Sequence, residues 1–355
     1  MAWTTPANNR GRVDAAGAML LNPRATDNEK EDALAIINNW RASHAYPLQS
    51  LKMTLLKRGK RVSDKAVVAQ RLKRLSSIDQ KLRRNNNMKL TQMQDIGGCR
   101  VVLPTVAHVD QLVGLYKQGQ TKNPNDRAEF VKEYDYISSP KTDGYRSFHI
   151  VYKYRSKAEK NQVYNGLRIE VQIRSRLQHA WATAVETVST FTGQALKSNI
   201  GNDEWKRFFV LMGSAIAARE KRRPVPGVPT ATQDLVEELL NLERKLNIRT
   251  VLSSWGDVVQ ELTMSPTNAD LYLLVLDSSA RQVKVSPFRK SQLAMASEAY
   301  LDVEKRYEGN PDIQAVLVSV SSLASLRSAY PNYYLDTKAF LGALDFAADN
   351  RLRSR

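Results

Sequence analysis

Cysteine occurs once in the 355 residues, at Cys99, and histidine four times. That scarcity excludes a disulfide framework and any zinc site built on several cysteines, so a reducing compartment is the simple expectation. No apolar run approaches the roughly 18 residues that a membrane-spanning helix needs. The opening residues MAWTTPANNRGRVD also lack the apolar stretch of a secretory signal. The expectation is a cytoplasmic chain without a membrane partner. Internal repeats and heptad arrays are missing. So are a Walker-type phosphate loop, the Asp-Asn catalytic set of protein kinases and a His/Cys metal cluster. Acidic side chains are outnumbered, with 36 Asp and Glu against 53 Lys and Arg, a formal charge of +17.

What is present suits an ordinary globular protein. Hydrophobic residues make up 42% and charged residues 25%, and the length suffices for about two domains. The basic surplus is concentrated: residues 51–200 hold 28 Lys and Arg against 12 Asp and Glu, whereas residues 251–355 hold 11 against 12. A surplus of this size in one segment points to a polyanion, either nucleic acid or a phosphate-rich small molecule, since phosphate contacts attract without specifying.

Apolar spacing predicts a helix over Asn28–His44 ended by Pro47, a second over Leu51–Lys57 and a strongly basic third over about Asp64–Arg84. Strands are expected at 99–103, 148–154 and 167–173, and helices at 106–117, from about 176, at 204–221 and at 232–247. The Pro-rich stretch 222–229 reads as a linker. Beyond it come a hairpin (271–276 and 282–285), a helix at 291–307, a strand at 313–320 and a helix at 337–347.

Four segments have residue types suited to phosphoryl transfer. In the first, Lys73, Ser77 and Lys81 are four apart, so on a helix they share one face and could grip successive phosphates. In the second, Asp95 stands at the entry to an apolar strand, where a carboxylate either caps a turn or holds a metal ion. The third, from Tyr134 to His149, packs Lys141, Gly144, Tyr145 and His149 into a short loop that is either a tight turn or a stacking and charge-neutralising platform. In the fourth, Glu170, Gln172 and Arg174 alternate with apolar residues and so emerge from one strand face. Burying such a face is costly without partners. Mg²⁺ prefers one or two carboxylates plus substrate phosphates, and Asp95 with Glu170 would supply the pair. Transfer from ATP needs little beyond alignment and charge neutralisation. Glu170 could also accept the proton of an attacking hydroxyl.

Together these segments resemble the RelA/SpoT nucleotide pyrophosphokinase domain over about residues 45–190. The resemblance implies an α+β fold, a mixed sheet of nucleotidyltransferase type flanked by helices. It implies Arg71 on the ATP base, Lys73, Ser77 and Lys81 on its phosphates, and Asp95 and Glu170 on Mg²⁺. Lys141, Tyr145, His149, Gln172 and Arg174 would form the acceptor side, with the Tyr145 ring stacking on the acceptor base. The implied reaction moves the β,γ-pyrophosphate of ATP to a ribose 3′-hydroxyl. The sequence departs from alarmone-making members at Asp143, where Asn is usual, and at His108, where a second Arg is usual. The residues before the synthetase segment lack an HD pair, so synthesis without hydrolysis is expected.

Two acceptors then compete: GDP or GTP, giving an alarmone, and the 3′-terminal adenosine of tRNA, giving a translation-blocking toxin. The size of the basic surplus favours tRNA, with Lys57, Arg58, Lys60, Arg61, Arg83 and Arg84 as its surface. The C-terminal strand, strand, helix, strand, helix order resembles the fused antitoxin domain of the CapRel-type toxin–antitoxin group, a zinc-finger-like domain without zinc. By that resemblance Tyr330 and Tyr333 would be autoinhibitory, and a phage protein such as a capsid component would be the trigger. The resulting division is an N-terminal helical segment (1–44), a synthetase domain (45–200), a helical linker (201–250) and a small α+β regulatory domain (251–355), in a monomer.

Overall fold

The computed structural model describes residues 3–85, 87–122, 128–192, 202–254, 269–277, 280, 282–307, 310, 313–319 and 333–349. The chain forms two compact units, one of Met1–Tyr136 with Ser147–Ser175 and one of Ile137–Arg146 with Arg176–Arg355. The expected boundaries at 44, 200 and 250 do not coincide with this division.

The first unit opens with three helices, α1 (Arg10–Leu21), α2 (Asp27–Ser43) and α3 (Ala45–Val62). Asn9 caps α1 through its side chain, and Thr26 with Glu29 forms a reciprocal capping box on α2. The sequence reading missed α1 because its buried stripe is only Val13, Ala16 and Gly17. Pro47 sits in the first turn of α3, where its missing N–H leaves no bond unmade, so the helix is longer than the expected 51–57.

There follow β1 (Val67–Leu72), α4 (Leu75–Arg84), β2 (Gly97–Leu103), α5 (Val106–Lys122), β3 (Ala128–Asp135), β4 (Phe148–Tyr154), α6 (Glu159–Gln162) and β5 (Arg168–Ser175). The strands form one sheet in the order β1-β2-β5-β4-β3, parallel only between β2 and β5. The single helix expected over 64–84 is therefore corrected. Val67 and Val68 begin a strand that pairs antiparallel with β2, and Lys73 N–H extends the ladder to the Ile96 carbonyl at 2.8 Å before α4 starts.

Burial alternates along β2 and along the first part of β5, so one sheet face is a core and the other is half-open. Cys99, Val101, Ile150, Tyr152, Ile169 and Val171 are buried on the core face, on which α3 and α5 pack. Each such aliphatic side chain contributes roughly 2 kcal/mol by leaving water. Burial, reinforced by the charge of Glu170, pushes the Cys99 thiol up to about 12.

His44, at the α2–α3 junction, is buried and its Nδ1 lies 2.7 Å from the Trp40 carbonyl. Burial lowers its pKa to about 4, so the ring is neutral at pH 7 and Nδ1–H is the donor. The unfolded chain binds this proton near pH 6.5 and the folded chain only near 4. The resulting stability is complete above pH 6.5 and drains away as pH falls toward 4, by about 3 kcal/mol. In a histidine-detected NMR titration we expect the His44 resonance to stay in its neutral position through pH 5. A midpoint near 6.5 would refute the burial argument.

The second unit contains the loop 137–146, α7 (Arg176–Thr192), α8 (Asn202–Arg219), α9 (Thr232–Leu246) and helical residues 248–254. It continues with β6 (Leu271–Asp277), β7 (Gln282–Phe288), α10 (Leu293–Arg306), β8 (Ile313–Ser319) and α11 (Tyr333–Ala348). This is the expected order of elements, with a three-stranded antiparallel sheet β7-β6-β8. One core joins residues on both sides of residue 250: Phe208, Leu211, Met212 and Leu239 pack in the same cluster as Tyr272, Val318, Phe340 and Leu344. Buried His179 of α7 meets Asp336 of α11 at 3.3 Å.

Candidate active site

The half-open face of the first unit's sheet presents its side chains in rows, because paired residues share a face. One row runs Arg71, Gly98, Glu170 and Val151 across β1, β2, β5 and β4. The next runs Ala69, Arg100, Gln172, His149 and Tyr134. Two strand spacings put the backbones of Arg71 and Glu170 about 10 Å apart. Gly98 lies between them without a side chain, leaving a trough floor.

At one end of this face stands Asp95, two residues before β2. Lys73 Nζ donates to its Oδ2 at 2.7 Å and Lys81 Nζ to its Oδ1 at 2.8 Å. The two lysines do meet, although not as neighbours on one helix: Lys73 is on the β1–α4 link and Lys81 in the last turn of α4. Burial works against ionisation of Asp95, but the two ammonium groups outweigh it and hold the carboxyl below its usual range. Ser77 is half-buried on α4, one turn before Lys81, and Arg71 is exposed on β1.

Glu170 is held at both oxygens. His149 Nδ1 lies 3.0 Å from Oε1, and Gln172 Nε2 donates to Oε2 at 2.7 Å. Gln172 Oε1 in turn accepts from Arg174 at 2.8 Å, and Arg174 Nε donates to the Ser147 hydroxyl at 3.3 Å. Gln172 and Arg174 thus form a chain that ends on Glu170. Burial raises the pKa of Glu170, and the nearby Asp95 charge adds to that. His149 and Gln172 reverse it, so Glu170 is also ionised below the usual carboxylate range. The Tyr136 ring packs edge-on against His149 at 5.2 Å and stacks on Tyr134 at 5.6 Å, which braces the imidazole.

Lys141 and Tyr145 belong to the second unit, where Lys141 Nζ sits 5.1 Å above the Tyr145 ring. Their loop is tightly specified. Gly144 has φ +91°, and a Cβ there would meet the Phe209 carbonyl at 2.9 Å. Asp143 Oδ1 accepts from Tyr145 N–H at 2.9 Å, a turn-closing bond that Asn makes equally well. His108, at the start of α5, pairs with the Thr105 hydroxyl at 2.7 Å.

Of the proposed RNA surface, Lys57, Arg61 and Arg84 are exposed, while Arg58 stacks on Tyr116, Lys60 binds the Asp64 carbonyl and Arg83 pairs with Asp79. Tyr330 lies outside the described residues, and of Tyr333 only the backbone, opening α11, lies within them. Arg100 and Gly98 escaped the sequence reading; their signal was their pairing with Gln172 and Glu170 across two parallel strands, which needs the register to be known. Among the described residues no group of three or more His, Cys, Asp or Glu is placed to hold a metal ion, and no helix is long and apolar enough to cross a membrane.

The family model described as "Region found in RelA / SpoT proteins" matches residues 70–192. Over 118 residues the chain is 29% identical to the GTP pyrophosphokinase YwaC of Bacillus subtilis (strain 168), covering 32% of this chain and 52% of that one. Over 120 residues it is 30% identical to the GTP pyrophosphokinase YjbM of the same organism, covering 33% and 52%. The match thus spans about half the length of these relatives. Among solved structures, small alarmone synthetase 1 from Bacillus subtilis aligns with a TM-score of 0.41 at 23% identity, over 50% of this chain and 88% of that one. A GTP pyrophosphokinase family protein from Streptococcus pneumoniae gives 0.40 at 23%, over 50% and 86%. Residues 70–192, which carry Asp95, Glu170 and the Lys73–Lys81 pair, match the region found in RelA and SpoT proteins, and the curated relatives that share this stretch are GTP pyrophosphokinases.

Proposed function

We propose that the chain is an ATP-dependent pyrophosphokinase whose acceptor is GDP or GTP. The observation that carries this reading is the pairing of Lys73 and Lys81 on ionised Asp95, on the same sheet side as ionised Glu170. The relatives' names, GTP pyrophosphokinase, support a guanine nucleotide acceptor over tRNA.

In this reading the ammonium groups of Lys73 and Lys81 turn from Asp95 to the triphosphate, and Arg71 takes the adenine. Asp95 and Glu170, two carboxylates that are both ionised, fit Mg²⁺, which supplies charge neutralisation at the phosphates when bound. Glu170, oriented by His149 and Gln172, takes the proton of the ribose 3′-hydroxyl as its oxygen attacks the β-phosphorus. The bond from that phosphorus to the α-phosphate oxygen breaks, and AMP leaves with the electron pair.

A second reading, with tRNA as acceptor, is favoured by the surplus of 28 basic over 12 acidic side chains in residues 51–200. The test uses the full chain, γ-³²P-ATP and parallel incubations with GDP, GTP and bulk tRNA. Label entering guanine nucleotide, with AMP released, is the expected result. Label entering tRNA alone would replace the acceptor, and label entering neither would end the pyrophosphokinase reading.

A further inference from the structure

Arg41, in the last turn of α2, reaches Lys73 across 31 intervening residues: its Nε donates to the Lys73 main-chain carbonyl at 2.6 Å. The N–H of the same Lys73 is held by the Ile96 carbonyl at 2.8 Å, so both backbone groups at the base of this lysine are fixed. That matters because Lys73 lies on the two-residue link between β1 and α4, outside either regular element. A lysine arm has four rotatable bonds, and its ammonium finds a target reproducibly only if its Cα is held.

Arg41 has no carboxylate partner among the described residues. A structural arginine in a helix's last turn would be satisfied by its own helix carbonyls; this one spends its hydrogen bond on a distant strand end. A second tie runs the same way. Asp14 of α1 accepts from Thr91 N–H at 2.8 Å and from the Thr91 hydroxyl at 3.0 Å, four residues before Asp95. Lys73 is thus tied at its main chain to α2, and the segment leading to Asp95 is tied at Thr91 to α1.

We propose that Arg41 is a positioning residue of the donor site, holding Lys73 so that its ammonium meets the donor phosphates, and that α1 and α2 are working parts of that site. The proposal rests on the pyrophosphokinase reading for its kinetic consequence and on geometry alone for its structural one.

The experiment compares wild type, Arg41→Gln and Arg41→Lys as full chains, by steady-state kinetics with GTP as acceptor and by amide hydrogen exchange. For Arg41→Gln we expect the KM for MgATP to rise about tenfold while the KM for GTP and kcat stay within about twofold. The Lys73 amide should exchange at least tenfold faster, with Cys99 and Val171 in the sheet centre unchanged. Arg41→Lys, which keeps the charge and one donor, should recover part of the ATP affinity. An unchanged Lys73 amide, or an equal loss of protection across the whole sheet, would overturn the proposal. So would a fall in kcat with ATP affinity intact. If the wild-type chain transfers no pyrophosphate, the functional reading fails, and the Lys73 exchange rate then decides the positioning claim by itself.

Discussion

Glu170→Gln is expected to lower kcat for pyrophosphate transfer by about a thousandfold, within the range for loss of a general base, while the KM for ATP changes less than threefold. Gln is nearly isosteric and can still accept from Gln172 or His149, so the network of Arg174, Gln172 and His149 should persist and thermal stability should change little. What is lost is the ability to take a proton, together with one of the two negative charges proposed for Mg²⁺. The wild-type pH profile carries the same argument. Because His149 and Gln172 hold the Glu170 carboxyl below its ordinary 4.5, the acid limb of kcat/KM should lie below that value. Removing the imidazole in His149→Ala leaves burial to act with less opposition, and the limb should move upward. A Glu170→Gln variant within tenfold of wild type would show that Glu170 is not the base.

The second large effect is expected at Asp95. In Asp95→Asn both ammonium groups lose their carboxylate, and one of the two anionic ligands proposed for Mg²⁺ disappears. We expect kcat/KM to fall at least a hundredfold and the Mg²⁺ concentration for half-maximal rate to rise about tenfold. Stability should fall as well, since the three side chains are mostly buried and the two ammonium groups lose their shared partner. Retained activity with unchanged metal dependence would make Asp95 a partner of the two lysines only. Titrating Mg²⁺ in wild type and variant at saturating ATP distinguishes the two.

The carboxylates and lysines were legible because their chemistry leaves a pattern. Glu170, Gln172 and Arg174 alternate with isoleucine and valine, and alternation is what a strand with one open face requires. The hairpin and helices after residue 270 were legible for the same reason. β1 was not, because the basic residues at 71, 74 and 81 recur at helical spacing, and charge spacing says nothing of which neighbouring strand offers a free edge. β3 was missed because an edge strand carries Glu129, Lys132, Glu133 and Asp135 among its apolar residues and is bulged near Phe130, which blurs its period. The role of Arg41 was invisible for a different reason. Its partner is a main-chain carbonyl, which every residue possesses, so no residue type at position 73 announces it.

The shared core of the second unit bears on how such a chain can be inherited. A chain ending at residue 250 would leave Phe208, Phe209, Leu235 and Leu239 without the side chains of Phe340, Ala343 and Leu344 that pack in their cluster, and His179 without Asp336. Losing several buried contacts of this kind costs a small domain most of its net stability. The C-terminal sheet and α11 are therefore no detachable cassette: recombination that trades them must bring α7, α8 and α9 along, or supply a replacement helix already fitted to them.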